Sequence, residues 1–238
     1  MALPKKIDSR CIKDAIVEVR YTSPFPFEIL VGYIFQNLDE TYTYTNRSLS
    51  NPDFNQVDGI NIRIGNQYLF FNDKIKLQIQ PNSFIFNCLK EYILWPDYIN
   101  EIERVLVQIL KIDEIKLFTR IGVRYISEFE NINFMETLNF SFTFNQPDTI
   151  SKTFSFKSEF AKDDCHVILQ INNLLKRVDQ DNTTYSQIDI DVINQNLNID
   201  ANNVETLLIE INKLHTIEKE LFFGLLRADF LQSLNPIY

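Results

Sequence analysis

Residues 117–126 read Leu117-Phe118-Thr119-Arg120-Ile121-Gly122-Val123-Arg124-Tyr125-Ile126, and the rest of the chain is best read outward from them. Leu117, Ile121, Val123 and Tyr125 alternate with Arg120, Gly122 and Arg124. A period of two is the mark of a strand with one face in the core and the other in water.

Towards the amino terminus, Ala15-Ile16-Val17-Glu18-Val19-Arg20-Tyr21 reads as a second strand, stopped by Ser23-Pro24. Phe27, Leu30, Val31, Ile34, Phe35 and Leu38 then recur at helical spacing, which predicts one apolar stripe. Residues 49–58 read as a loop. Short strands are expected at 59–64, 68–71, 76–79 and 83–89, divided by Gly65-Asn66, Asn72-Asp73 and Pro81-Asn82. Turn chemistry so closely spaced predicts antiparallel hairpins rather than crossovers. A second helix opens at Trp95-Pro96-Asp97, with proline suited to its first turn, and carries Tyr98, Ile102, Val105, Leu106, Ile109 and Ile112 along one face.

Towards the carboxyl terminus, Leu138, Phe140, Phe142 and Phe144 alternate with polar residues and predict a further strand. Runs with the same period hold Phe154 and Phe156, then Val167, Leu169 and Ile171, then Ile188, Ile190 and Val192, with Asp189 and Asp191 in the intervening places. After Asp200 a helical stripe of Val204, Leu207, Leu208, Ile211, Leu214, Ile217, Leu221 and Leu225 is expected to run on to Leu234, where Pro236 closes it. The expected fold class is α+β, with antiparallel sheets backed by long helices. Residues 1–130 form an amino-terminal α+β half and residues 131–238 a half of antiparallel strands plus a long helix. The two halves share an architecture without a repeat at the level of sequence, and one sheet or two satisfies the pattern.

Composition narrows the chemistry. Five scattered glycines cannot build a phosphate-cradling loop. Two histidines, His166 and His215, and three unclustered cysteines supply neither the usual metal sites nor histidine-based triads, so no cofactor, metal ligand or catalytic residue is assigned. A formal charge of −9 argues against direct nucleic-acid binding and against attachment to an anionic membrane. An odd number of cysteines with no apolar leader or membrane-length run fits a soluble cytoplasmic protein.

Two groups of residues stand out as sites. Arg120 and Arg124 flank Gly122 on one strand face, where paired guanidiniums suit a small anionic ligand or nucleotide signal, unless acids such as Asp189 or Asp191 hold them. Tyr92, Trp95 and Tyr98 gather at a helix start and suit either an exposed aromatic platform for a protein partner or a staple closing the helix entry. Cys165 and His166 adjoin Asp163 and Asp164, but neighbours on a strand point to opposite faces and cannot work as nucleophile and base. His215 stands alone on the last helix and reads as a packing residue.

Three pieces in fixed order, Leu3-Pro4-Lys5-Lys6-Ile7 leading into the strand at 15–21, Arg120-Ile121-Gly122-Val123-Arg124-Tyr125-Ile126, and Leu214-His215 followed by Phe222, resemble a family of uncharacterised prokaryotic proteins described as sporadically distributed. The resemblance lends no catalytic residue. It implies an accessory protein of mobile or defence islands. The expected function is therefore a non-enzymatic, protein-binding accessory or sensor subunit of an anti-phage or toxin–antitoxin-like system, its partner encoded by a neighbouring gene. A binder of small anionic ligands and an enzyme of unfamiliar type are the rival readings.

Overall fold

Ala15, Val17, Val19 and Tyr21 of strand β1 (Ile12–Thr22) are buried on one face of the chain, while Glu18 and Arg20 look the other way. The computed structural model describes residues 3–7, 11–47, 67–111, 113–140, 153–176 and 183–238. β1 pairs antiparallel with β5 (Ser83–Cys88), Val17 opposite Phe86, and on its other side with β6 (Leu117–Glu130), Val17 opposite Val123. Beyond β5 the sheet runs through β4 (Ile75–Gln80) and β3 (Gln67–Phe71) to β2 (Thr43–Arg47). Beyond β6 it runs through β9 (Thr184–Asn194) and β8 (Cys165–Lys176) to β7 (Phe154–Lys162), while the short β10 (Ile199–Asp200) pairs with β6. Among the described residues these ten strands form one open antiparallel sheet.

Local chemistry sets the hairpins. Asn72 Oδ1 accepts hydrogen bonds from the backbone N–H of Lys74 (2.9 Å) and Ile75 (2.8 Å), closing the β3–β4 turn. Asp163 and Asp164, read from the sequence only as acids beside a histidine, have φ of 50° and 63° and make the two-residue β7–β8 turn, whose twist matches the strands it joins.

Helices α1 (Phe27–Asn37), α2 (Trp95–Ile109) and α4 (Val204–Leu225) share one apolar cluster with the buried face of the strands. α1 packs on α2, α2 on α4, and α4 on β6 and β9. The buried stripe of α2 is the one its spacing predicts, Tyr98, Ile102, Val105, Leu106 and Ile109. Burial of each aliphatic or aromatic chain of this kind stabilises the fold by about 1.5–3 kcal/mol. Among the described residues no helix is long and apolar enough to cross a membrane.

Several expectations change on the structure. Phe35 is 57% exposed, because the α1 stripe is narrower than its spacing allows and Leu30, Val31 and Ile34 fill the interface. At the start of β6 it is Phe118, and not Leu117, that is fully buried, since the β1–β6 register shifts between Arg20 and Tyr21. Residues 134–137, placed before a strand beginning at Leu138, form the short helix α3 (Phe134–Thr137), capped by the Asn133 side chain.

The long final helix stops at Leu225. Leu226 bridges to Leu138, the Arg227 N–H bonds the Thr137 carbonyl, and the Arg227 guanidinium donates to the carbonyls of Leu138 and Glu136, all at 2.9 Å. These tertiary bonds draw the backbone out of the helix before α5 (Ala228–Ser233) resumes it. The strand expected at 59–64, the loop at 49–58, Ile112, Phe142 and Phe144 lie outside the described residues.

Candidate functional site

α4 presents His215, Glu218, Lys219 and Phe222, spaced i, i+3, i+4 and i+7, along a single face. That face borders a half-open cavity of about 580 Å³ lined by α4, the start of α2 with the residues before it, strands β1 and β6, and residues 5–7. Its size is that of a small-molecule pocket. The outer wall is the amino-terminal segment, fastened to the carboxyl end of the chain by Lys5 N–H to Ile237 O (2.6 Å) and Ile237 N–H to Lys6 O (2.8 Å).

Rings line the interior. Trp95 stacks on His215 with centroids 3.8 Å apart and planes 1° from parallel, and its indole N–H donates to Asn212 Oδ1 at 2.8 Å, which ties the start of α2 to α4. The Tyr92 and Tyr125 hydroxyls bond each other at 3.1 Å. Leu94, on the cavity lip and at the N-cap of α2, has φ 36° and ψ 147°, a conformation unfavourable for a leucine. Strained backbone of this kind persists where the surroundings hold it, and it concentrates at functional sites.

The polar end is unusual. Glu218 is 5% exposed, and its carboxyl has no hydrogen bond or ion pair among the described residues. Burial pushes it up to about 8 against the attraction of Lys219, so it is a neutral acid at pH 7. Burial, with Lys219 adding to it, pushes His215 down to about 3, so its ring is neutral too. Lys219 itself is lowered by burial and by the charge of Lys5, against the pull of Glu218. Lys5, Lys6, Lys13, Lys90 and Lys219 line the cavity against only two acids, Glu91 and Glu218. On a chain with net charge −9 this is a marked segregation of positive charge.

The residues singled out from the sequence divide between this cavity and the opposite face of the sheet. Arg120 and Arg124 lie on that opposite face, and both are engaged. Arg124 donates to Asp189 through Nε (2.8 Å) and Nη2 (2.6 Å), and Arg120 Nη1 donates to Glu18. The room beside Gly122 is taken by Asp191 and Arg120, whose Oδ1 and Nη1 would stand 3.6 and 3.8 Å from an added Cβ. Burial pushes Asp191 up to about 6, against Arg120 and Arg124.

Tyr92, Trp95 and Tyr98 form no exposed platform. Tyr98 is fully buried with its hydroxyl on the Ala15 carbonyl at 3.0 Å, and Tyr92 and Trp95 turn their rings into the cavity. Cys165 is buried while His166, on the other face, meets Glu159 at 3.4 Å. From the sequence, Glu218, Lys219, Tyr125 and the lysines were not assembled into a binding site. One signal was legible, a polar pair at 215 and 218 beside the apolar stripe of the last helix.

No protein-family model matches the chain, and no curated protein matches it.

Proposed function

We propose that the protein is a sensor that binds a small anionic ligand in the cavity between α2 and α4. The observation that carries this reading is Glu218, a buried acid without a partner among the described residues, on a cavity lined by five lysines. Burial favours the neutral form of an acid in that place, and the surplus positive charge around it suits a negative guest. The reading is one of binding rather than turnover. The Tyr92 and Tyr125 hydroxyls are spent on each other, and burial raises both above the ordinary phenol range, so neither supplies a phenolate near neutral pH.

Calorimetry of the purified protein with adenosine 5′-monophosphate, pyrophosphate, benzoate and 2-naphthalenesulfonate tests it. At least one should bind with micromolar or better affinity and be lost in a Lys5→Ala, Lys219→Ala double variant. Silence with the whole set would refute the reading.

A second reading rests on a separate observation. Ile29, Tyr33 and Phe35 of α1 and Tyr44 of β2 are exposed large hydrophobic residues, with Phe35 and Tyr44 in edge contact at 5.5 Å. We infer from them an accessory subunit that docks a protein encoded by a neighbouring gene, in the cytoplasmic defence setting that the family resemblance implies. Co-expression with the products of adjacent genes should give a stoichiometric complex that Phe35→Asp disrupts. A complex indifferent to that change would place the interface elsewhere.

A further inference from the structure

The cavity combines two surfaces that one ligand can satisfy together. Its inner wall is built from the rings of Trp95, Tyr92, Tyr125, His215 and Phe222, and its polar end from Glu218, Lys5 and Lys219. Lys219 feels the charge of Lys5, so an anion between them relieves a repulsion as well as gaining two attractions. Among the described residues nothing bonds the Glu218 carboxyl, which when protonated has one O–H to donate.

We propose that the occupant is a planar, ring-bearing acid whose anionic group sits between Lys5 and Lys219 and accepts a hydrogen bond from the Glu218 carboxyl. This rests on the reading of the cavity as an anion site and adds the class of ligand and the group that recognises it. A neutral acid is a selective partner here. It donates to an anion without adding charge, and once ionised it repels the same anion across a short, poorly screened distance.

Binding is therefore tied to protonation of Glu218, and its neighbours allow the tie to be seen. Tyr92 before α2 and Tyr125 on β6 stay protonated well above neutrality, and His215 on α4 stays neutral. Lys5, Lys6, Lys13 and Lys90 supply positive charge from the remaining walls and Glu91 a negative one. Lys219, with its lowered value, also loses charge as the solution becomes alkaline.

The probe is 2-naphthalenesulfonate, which stays ionised throughout, with cyclohexanesulfonate as the non-planar arm and inorganic sulfate as the head group alone. The planar probe should bind the full-length protein at least tenfold more tightly than either. Glu218→Gln, which keeps a donor at every pH, should match wild type within about threefold at pH 7 and exceed it about tenfold at pH 9, since each pH unit above about 8 removes a factor of ten from the protonated acid.

Glu218 holds Lys219 up in wild type only, so the ratio is also read in a Lys219→Ala background, where the difference in Lys219 charge is gone. A ratio that does not change with pH, or equal binding of the planar and non-planar sulfonates, overturns this inference while leaving the anion site standing. Binding that survives Lys5→Ala with Lys219→Ala overturns both. If Glu218→Gln does not fold, calorimetry of Lys219→Ala at pH 8.5 in two buffers of different ionisation heat reads the same event. Proton uptake on binding supports the proposal, and none refutes it.

Discussion

Replacing Glu218 by glutamine is expected to stabilise the protein by an amount that grows with pH. The carboxyl titrates near 8 in the fold and near 4.5 in the unfolded chain, so between those values the native state holds a proton that the unfolded chain has released. With more protons bound in the native state, stability must fall as pH rises. The interval of 3.5 pH units, at about 1.4 kcal/mol each, sets a penalty on the order of 5 kcal/mol, absent below pH 4.5 and complete above pH 8. His215 acts in the opposite sense. It is neutral in the fold down to about 3, while the unfolded chain takes up its proton near 6.5, so its penalty builds as pH falls below 6.5. Between 4.5 and 6.5 the two trends offset each other. Glutamine keeps the shape of the side chain and deletes only the alkaline branch. Urea unfolding of both proteins at pH 5, 6.5 and 8 reads the difference. The gap should widen by about 3–4 kcal/mol over that range. A gap that stays constant would mean that Glu218 is ionised in the fold, and the electrostatic account of the cavity would fall with it.

Three further outcomes are expected. Tyr98→Phe leaves the Ala15 carbonyl without its buried donor and should cost about 1–2 kcal/mol in denaturant unfolding; no measurable cost would mean that the hydroxyl is not bonded there. Arg124→Ala strips Asp189, 8% exposed, of a two-point partner and should cost about 1–3 kcal/mol while leaving calorimetric binding in the cavity unchanged, since the pair lies on the other face of the sheet; lost binding would tie the two faces together. Burial pushes the Cys88 thiol up to about 11, raises Cys165 and leaves Cys11 inaccessible, so a thiol reagent at pH 8 should label native protein far more slowly than protein in urea; equal rates would contradict the packing.

What the sequence made legible followed periodicity. The alternation in β1, β6 and β9 and the stripe of α2 were readable because each element keeps one face in the core along most of its length. Where tertiary bonds compete with local pattern the reading failed. The stripe after residue 204 continues past Leu225, but nothing local announces that Arg227 will take carbonyls from Glu136 and Leu138. The cavity was hidden for a related reason. Its lysines stand at 5, 6, 13, 90 and 219, and only the placing of β1 beside β6, with α4 across them, brings them together. Arg120 and Arg124 looked conspicuous because they were close in sequence, and their acids at 18 and 189 come from two other strands.

The pairing of β1 with β6 also orders events during synthesis. Val17 and Val123 lie opposite each other although more than a hundred residues separate them. A growing chain can set β5 against β1 early, but the other flank of β1 stays bare until Glu130 has left the ribosome. At about 5–20 residues per second that delay is roughly 2–8 s, which is long beside the formation of a hairpin. During it, the exposed backbone of a valine-rich strand is a ready template for a second nascent chain, so yield in the cell should depend on how quickly translation proceeds from β5 to the end of β6.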